Sequence, residues 1–354
     1  MNYISAKEIA EKWNISQRRV ATLCSEERIA GVMLISNTWI IPSDAEKPLD
    51  ARVKNIRKND SIAKPFLKWA GGKSQLLKEI EKYYPFKENP TITKYAEPFV
   101  GGGAVLFDIL NKFDLQEVYI NDINAELINT YVTIRDNPKE LMAILEKLEK
   151  NYIKLDGDKR KEFYLDKRAH FNELKRQNIL NAEQAALMIF LNRTCFNGLY
   201  RVNRKGEFNV PMGAYKNPTI CDKENLKLVS QKLQNIKITC GDYKNSADFI
   251  DDKTFVYFDP PYRPLTQTAN FTSYTESLFN DDKQLELANF VQLMDNKNTK
   301  IVISNSDPKN TNENDDFFDN LYSKQKINRV SATRMINRNS DKRGKISELL
   351  ITNF

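Results

Sequence analysis

The chain has 354 residues, 41% hydrophobic and 29% charged, which predicts a soluble globular protein of two or three domains. Its 54 Lys+Arg against 47 Asp+Glu give a formal charge of +7, an excess that permits a polyanionic partner without requiring one. Residues Met1 to Glu8 lack the basic and apolar regions of a signal peptide, and no run approaches a membrane span, so a cytoplasmic location without membrane contact is expected. Cys24, Cys195, Cys221 and Cys240 are far apart and form no Cys-x-x-Cys pair, so neither a disulfide framework nor a zinc knuckle is indicated. The single histidine, His170, cannot supply a two-histidine metal site and reads as a surface or packing residue. No metal is expected.

In chain order, residues 3 to about 42 read as a small separate unit. Ser5-Ala6-Lys7-Glu8 is a capping box opening a helix with Ile9, Ala10 and Trp13 on one face. Asn14-Ile15 breaks that helix, and Ser16 caps a second one carrying Val20 and Leu23. Val32 to Ile35 and Thr38 to Ile41, joined by Ser36-Asn37, predict a hairpin. Two short helices and a hairpin resemble the winged helix-turn-helix modules of excisionases. That resemblance puts Gln17, Arg18 and Arg19 at the start of a recognition helix, where a major groove would be reached. The competing reading is a small helical module for protein interaction.

Residues 43–63 mix charges of both signs with few large apolar side chains, a linker composition. From Lys64 onward strand-like and helical runs alternate, as in an α/β domain, and a long helical stretch over about 135–235 is inserted in that alternation. Pro65-Phe66-Leu67-Lys68-Trp69-Ala70-Gly71-Gly72-Lys73 sets an aromatic between two lysines at a glycine-rich turn, which by itself reads as a buried Trp69 with two solvated lysines. Next, in Lys94-Tyr95-Ala96-Glu97-Pro98-Phe99-Val100 a short strand runs into Gly101-Gly102-Gly103 and an apolar helix. Backbone can approach a ligand closely there, at a helix amino terminus. Asp122 lies 19 residues beyond Gly103 at the end of Val118-Tyr119-Ile120-Asn121, where an acid of a doubly wound sheet binds ribose hydroxyls. Together these indicate a ligand containing adenosine.

The insert ends in a basic stretch, residues 192–216, with five Lys/Arg against one Asp/Glu and Phe196, Tyr200 and Phe208 interleaved. Beyond it the apolar run Thr254 to Phe258 is stopped by Asp259-Pro260-Pro261-Tyr262, because two prolines cannot continue a strand. A carboxylate, a proline carbonyl and an aromatic ring are thereby held at the carboxyl end of a buried strand. Asp259 and the Pro260 carbonyl can accept both hydrogens of one planar amino group while the Tyr262 ring stacks on the heterocycle that carries it. An ordinary strand-ending turn is the alternative for the tetrapeptide alone.

The order Lys-Trp-Ala-Gly-Gly-Lys, Glu-Pro-Phe-Val-Gly-Gly-Gly, Asn-Asp-Ile-Asn, long insert, Asp-Pro-Pro-Tyr is similar to the Dam-type (class alpha, D12 class) N6-adenine DNA methyltransferases, over about residues 63–354. The resemblance implies a Rossmann-like methyltransferase sheet over 64–134 and 236–354 and a mostly helical target-recognition domain over 135–235, with a DNA-reading hairpin at 192–216. It implies S-adenosylmethionine as cofactor, S-adenosylhomocysteine as product, and double-stranded DNA as partner. Asp122 would hold the ribose, Trp69, Lys73, Phe99 and Gly101 to Gly103 would enclose the cofactor, and Asp242 would lie near its adenine. Asp259 would touch both cofactor and target amine. Arg201 would read an outer guanine and Lys68 the first guanine, Leu199 and Pro211 would meet thymine methyls, and Phe196 would wedge into the stack, with Asn197 among the DNA contacts. Ala214 stands where the family often has a basic residue after Pro-x-Gly, which removes one such contact.

The expected reaction is methyl transfer to the N6 amine of a flipped adenine, with GATC as the site. A monomer on DNA is expected, in a bacterial, phage or mobile-element setting near the nucleoid, with a cognate restriction endonuclease as a further possible partner. Cytosine-N4 methylation is the second enzymatic reading, disfavoured because that group usually begins the tetrapeptide with Ser. A regulator with an inert methyltransferase-like domain is the reading from a different class.

Overall fold

Contacts divide the chain into residues 1–61 and 62–354. The computed structural model describes residues 3–13, 15–26, 28, 29, 31–35, 38–45, 47, 48, 62–69, 71, 73–263, 279–333 and 345–354. Most of the predicted linker, 49–61, and the turn residues Ser36, Asn37, Ala70 and Gly72 lie outside these.

In the first unit the capping box forms as the sequence predicts. The Ser5 N–H donates to Glu8 Oε2 at 2.8 Å and the Glu8 N–H to Ser5 Oγ at 3.3 Å, which starts α1 (Ala6–Trp13). Ser16 Oγ accepts the Arg19 N–H at 3.2 Å and starts α2 (Gln17–Ser25). Ile9, Val20 and Ile41 are fully buried between these helices and the sheet. The hairpin is present as β2 (Met33–Ile35) and β3 (Thr38–Pro42), and β1 (Tyr3–Ser5), which the sequence pattern did not reveal, pairs antiparallel with β3. Three residues leading straight into a capping box carry too little period-2 signal to mark a strand.

The second unit is built on seven strands: β4 (Lys94–Glu97), β5 (Glu117–Asp122), β6 (Ile236–Cys240), β7 (Thr254–Phe258), β8 (Lys300–Ser306), β9 (Lys326–Thr333) and β10 (Lys345–Thr352). They lie in the order β6-β5-β4-β7-β8-β10-β9, parallel except that β10 runs against both its neighbours. All five residues of β7 are buried, so it reads as a continuous apolar run, the pattern of a strand covered on both faces. Successive residues serve opposite faces. Phe255, Tyr257, Val302 and Leu350 join one apolar cluster, and Val256, Phe258, Ile303 and Leu349 join the other.

After β4 comes α4 (Ala104–Lys112), α3 (Leu77–Ile80) being a short turn upstream. Between β5 and β6 stand α5 (Ala125–Asp136), α6 (Pro138–Ile153), α7 (Gly157–Arg176), α8 (Ala182–Thr194) and α9 (Lys223–Leu233). Helix α8 is apolar nearly all round, with Gln184 through Leu191 buried, because it packs against α5, α6 and α7 together. Helix α10 (Asp281–Asp295) covers the opposite face of the sheet through Leu287, Phe290, Val291 and Met294, and α11 (Phe317–Leu321) adds Phe318. Where the resemblance implies a hairpin over 192–216, the chain leaves the last turn of α8 and doubles back through two antiparallel bridges, Cys195 to Met212 and Val202 to Phe208. Backbone bonds close the second bridge, the Asn203 N–H donating to the Glu207 carbonyl at 2.8 Å and the Asn209 N–H to the Arg201 carbonyl at 3.1 Å, while side chains of α7 take the outward-facing groups. Asn172 bonds both the N–H and the carbonyl of Phe208, and Tyr164 and Arg168 donate to the Val210 carbonyl.

One buried amide gathers the ends of three parallel strands. Asn121, 1% exposed, donates from Nδ2 to the Pro98 and Gly241 carbonyls at 3.1 and 2.9 Å, and its Oδ1 accepts Thr239 Oγ1 at 2.9 Å. Asn121→Ala leaves the Pro98 and Gly241 carbonyls short of a partner and is expected to lower unfolding free energy by about 2 kcal/mol. Urea unfolding of the full chain checks this, and a loss under about 0.5 kcal/mol, the range of neutral surface changes, refutes the role.

Candidate active site

Asp259 follows directly on β7, its side chain 22% exposed, with Pro260 buried behind it. Its Oδ1 takes two donors, Lys73 Nζ at 2.8 Å and Ser304 Oγ at 2.9 Å, and Ser304 in turn accepts the Tyr257 hydroxyl at 3.0 Å. Among the described residues no donor takes Oδ2 or the Pro260 carbonyl, whereas the Pro261 carbonyl accepts Gln284 Nε2 at 3.2 Å. Two acceptors at the strand end are thus left for a ligand. Lys73, only 4% exposed, also donates to the Gly71 carbonyl at 2.8 Å and lies 4.6 Å from the centre of the Tyr262 ring. The Tyr262 hydroxyl donates to Glu348 Oε2 at 2.7 Å on β10, which fixes the ring beside Asp259, and burial pushes the phenol well above its usual pKa.

The glycine loop lies at the end of the adjacent strand. Gly101 and Gly103 have φ of +48° and +73°, a backbone that L side chains rarely adopt. Space excludes side chains as well. A Cβ on Gly101 or Gly102 would fall 2.8 or 2.9 Å from Trp69 atoms, and one on Gly103 would fall 2.5 Å from the Tyr131 hydroxyl, which donates to the Gly101 carbonyl at 3.0 Å. Trp69 packs on this loop and stacks on Tyr200, with ring centres 5.4 Å apart at 20°. Asp122 accepts the Gly101 N–H on Oδ2 at 3.0 Å and the Asn124 N–H on Oδ1 at 2.9 Å, and burial raises its pKa. A carboxylate has about four acceptor positions, so two remain for other donors. Nearby, Glu97 is 2% exposed, accepts the Tyr95 hydroxyl at 2.7 Å and is pushed well up by burial. Phe99 stacks on Tyr243 at 5.2 Å, and the exposed Asp242 caps the turn 243–246 through the Lys244 N–H.

The basic segment divides into exposed and buried residues. Phe196 is 53% exposed, its N–H donating to the carbonyl of the exposed Pro211 at 2.9 Å, and Asn197 has φ +55°. Leu199 is half-buried, and Arg201 Nε donates to Asn209 Oδ1 at 2.8 Å. Lys68 is exposed, with Nζ 3.4 Å from the Tyr215 hydroxyl. Of the other interleaved aromatics, Phe208 is buried in the core, and Tyr200 turns inward, donating to Glu126 Oε2 at 3.2 Å beside Lys175, with its pKa pushed up to about 12 by burial. In the first unit Arg18 is exposed and Arg19 half-buried at the start of α2.

Cys24, Cys195 and Cys221 are buried free thiols and Cys240 an exposed one, while His170 Nε2 lies 3.1 Å from Glu183. Among the described residues no cluster of His, Cys, Asp or Glu could hold a metal ion, and no helix is long and apolar enough to cross a membrane. The sequence reading missed Ser304, Glu348, Tyr131 and Asn121. Each serves a group far away in the chain, and the only local sign was a polar residue inside an apolar run, as in Ile301-Val302-Ile303-Ser304.

A mostly parallel seven-stranded α/β sheet, with its polar groups gathered at the strand ends beside β4, is the architecture of Rossmann-like methyltransferases. The chain belongs to the D12 class N6 adenine-specific DNA methyltransferase family, whose profile matches residues 69–336. It is 50% identical over 294 residues to the type II methyltransferase M.MjaIII of Methanocaldococcus jannaschii, covering 82% of this chain and 99% of that one. It is 37% identical to the DNA adenine methylase of Haemophilus influenzae, over 81% of this chain and 92% of that one. The DNA adenine methylase of Escherichia coli K12 is 36% identical, over 80% and 93% of the two chains. The chain is therefore an enzyme, an adenine-specific DNA methyltransferase. Its first unit lies outside the span matched by the family profile.

Gly103→Ala places a side chain against Tyr131 in a left-handed backbone that by itself costs ~1–2 kcal/mol. The substitution is expected to lower thermal stability and to displace the Tyr131 hydroxyl from Gly101. Calorimetry of the full chain checks it, and an unchanged transition refutes the packing argument.

Proposed function

We propose that this chain transfers the methyl group of S-adenosylmethionine to N6 of an adenine flipped out of duplex DNA at GATC. The observation that carries the reading is the pair of open acceptors at the end of β7, Asp259 Oδ2 and the Pro260 carbonyl, beside a ring fixed by Glu348. The cofactor supplies an electrophilic methyl on a sulfonium. The groups that would hold it fit the purpose: Asp122 has acceptor positions left for ribose hydroxyls, Phe99 offers a ring face, Gly101 to Gly103 admit close approach, and Asp242 ends the next strand. Trp69 covers the loop. Lys73, expected from the resemblance to help enclose the cofactor, also reaches Asp259 and orients its carboxylate.

Flipping a base costs a few kcal/mol, roughly, in lost stacking and pairing. Stacking on Tyr262 and two hydrogen bonds from the amine offset part of that. With its hydrogens held by Asp259 and Pro260, the nitrogen becomes pyramidal and its lone pair points away from the ring. Held so, the nitrogen would accept the methyl that a bound S-adenosylmethionine supplies, with S-adenosylhomocysteine as the leaving group. Positioning supplies most of the rate. The proton then passes from the cationic nitrogen to Asp259 and on to water, so no histidine is needed.

Recognition falls to the inserted helical region 135–235. Lys68 reads the first guanine and Arg201 an outer one, Leu199 and Pro211 meet thymine methyls, Asn197 adds a contact, and Phe196 fills the space the adenine leaves. Phe196, 53% exposed, has its ring accessible for that role. The first unit acts as a winged helix-turn-helix that adds DNA affinity through Arg18 and Arg19. A cognate restriction endonuclease fits a relative named as a type II methyltransferase, and the enzyme works as a monomer on DNA.

Asp259→Ala is expected to abolish methyl transfer while duplex binding persists, as read by tritiated methyl incorporation beside a gel-shift titration. Retained activity overturns the assignment of Asp259. Single-molecule sequencing of DNA from a host expressing the protein is expected to show N6-methyladenine at GATC. Methylation in another context keeps the enzyme and refutes the site.

A further inference from the structure

Lys68 and the loop after α8 are 124 residues or more apart in the chain, and a single carboxamide joins them. Asn192 is the third residue from the end of α8 and 3% exposed. Its Oδ1 accepts the Lys68 N–H at 2.8 Å, while Nδ2 donates to the Lys68 carbonyl at 2.8 Å and to the Gly198 carbonyl at 2.9 Å. Both donors of the amide are used, and the Lys68 backbone is held on both sides as a neighbouring strand would hold it. A buried carboxamide at the end of the apolar run Ala185 to Leu191 is costly unless so bonded.

The other side of the joint is steric. Gly198 has φ +65°, and a Cβ there would fall 2.5 Å from Cδ and 2.8 Å from Cβ of Lys68, so the lysine side chain runs across bare backbone. Its ammonium then meets Tyr215, 3.4 Å from the hydroxyl and 4.9 Å from the ring centre. Gly198 lies between Asn197 and Leu199, in the segment that carries Phe196 and Arg201.

We propose that Asn192 is a specificity-positioning residue: it locks the Lys68 backbone to the reading loop, so that both elements meet one DNA site in one register. The inference rests on the reading above in which Lys68 contacts the first guanine. Without the carboxamide Lys68 keeps its charge and still reaches phosphates, so affinity survives while base discrimination falls.

The test uses the full chain, S-adenosylmethionine and two duplexes, one with GATC and one with its first G·C pair replaced by A·T. Single-turnover methylation rates on the two give a discrimination ratio. Lys68→Ala and Asn192→Ala are each expected to lower the ratio by about 10-fold, within the worth of a good base contact. The double variant is expected to lose no more than Lys68→Ala alone, because the second residue acts through the first. A wild-type ratio in Asn192→Ala alongside a reduced one in Lys68→Ala overturns the inference and leaves the Lys68 reading intact. Additive losses also overturn it. A wild-type ratio in Lys68→Ala overturns that reading and this inference together. If Asn192→Ala does not fold, Gly198→Ala takes its place. That variant pushes the lysine side chain aside without removing the carboxamide, and an unchanged ratio there overturns the joint.

Discussion

Parallel strands finish together, so a chain that leaves β4 toward β5 on one side and is joined by β7 on the other must part its connections above β4. That parting is the constraint on which the rest depends. It brings residues 101–103, 122 and 259 to neighbouring strand ends although they are spread over more than 150 residues of sequence. It also leaves carbonyls and carboxylates facing one another at the edge of a dry sheet, where unpaired polar groups are costly. The chain answers with side-chain donors. Asn121 joins three strand ends, Ser304 and Lys73 share Asp259 Oδ1, and Asp122 takes the Gly101 amide. The candidate site consists of the acceptors these tethers leave over.

The glycine loop shows why the tethers and the packing cannot be separated. Three glycines in a row suggest freedom, yet each is surrounded, two of them by Trp69 and one by Tyr131. Missing side chains serve here to let large rings close on the backbone, and Trp69 is held from its far side by Tyr200. The loop is therefore rigid because it is bare. A preformed surface of this kind loses little conformational entropy when a ligand settles on it.

The sequence disclosed the parts of this arrangement that repeat a local rule. The capping box at Ser5, the cap at Ser16, the strand ended by two prolines and the glycine loop before a helix were all legible, because each rests on residues within a few positions of one another. The partners of those parts were not. Ser304 is 45 residues from Asp259 and Glu348 is 86 from Tyr262, and no periodicity connects them. The segment 192–216 does fold back on itself, but its outer partners are again distant, since Asn172, Tyr164 and Arg168 reach the Phe208 and Val210 backbone from a helix. Tyr200, one of the interleaved aromatics, is a half-buried strut whose hydroxyl donates to Glu126 and accepts from Lys175, on elements the local sequence does not mention.

Trp69 closes on the glycine loop while its neighbour Lys68 crosses Gly198, so two contacts with different parts of the molecule are one peptide apart. The distance between the glycine loop and the outer edge of the reading loop is thereby set by a single covalent step. It cannot drift as the loops around it change length. In the proposed reading, a descendant of this chain can rebuild residues 192–216 to prefer other bases while it keeps that step, because lengthening it on one side would uncover the other. Divergence in what is read can thus proceed at the loop while the interval from Lys68 to Trp69 stays as a fixed gauge.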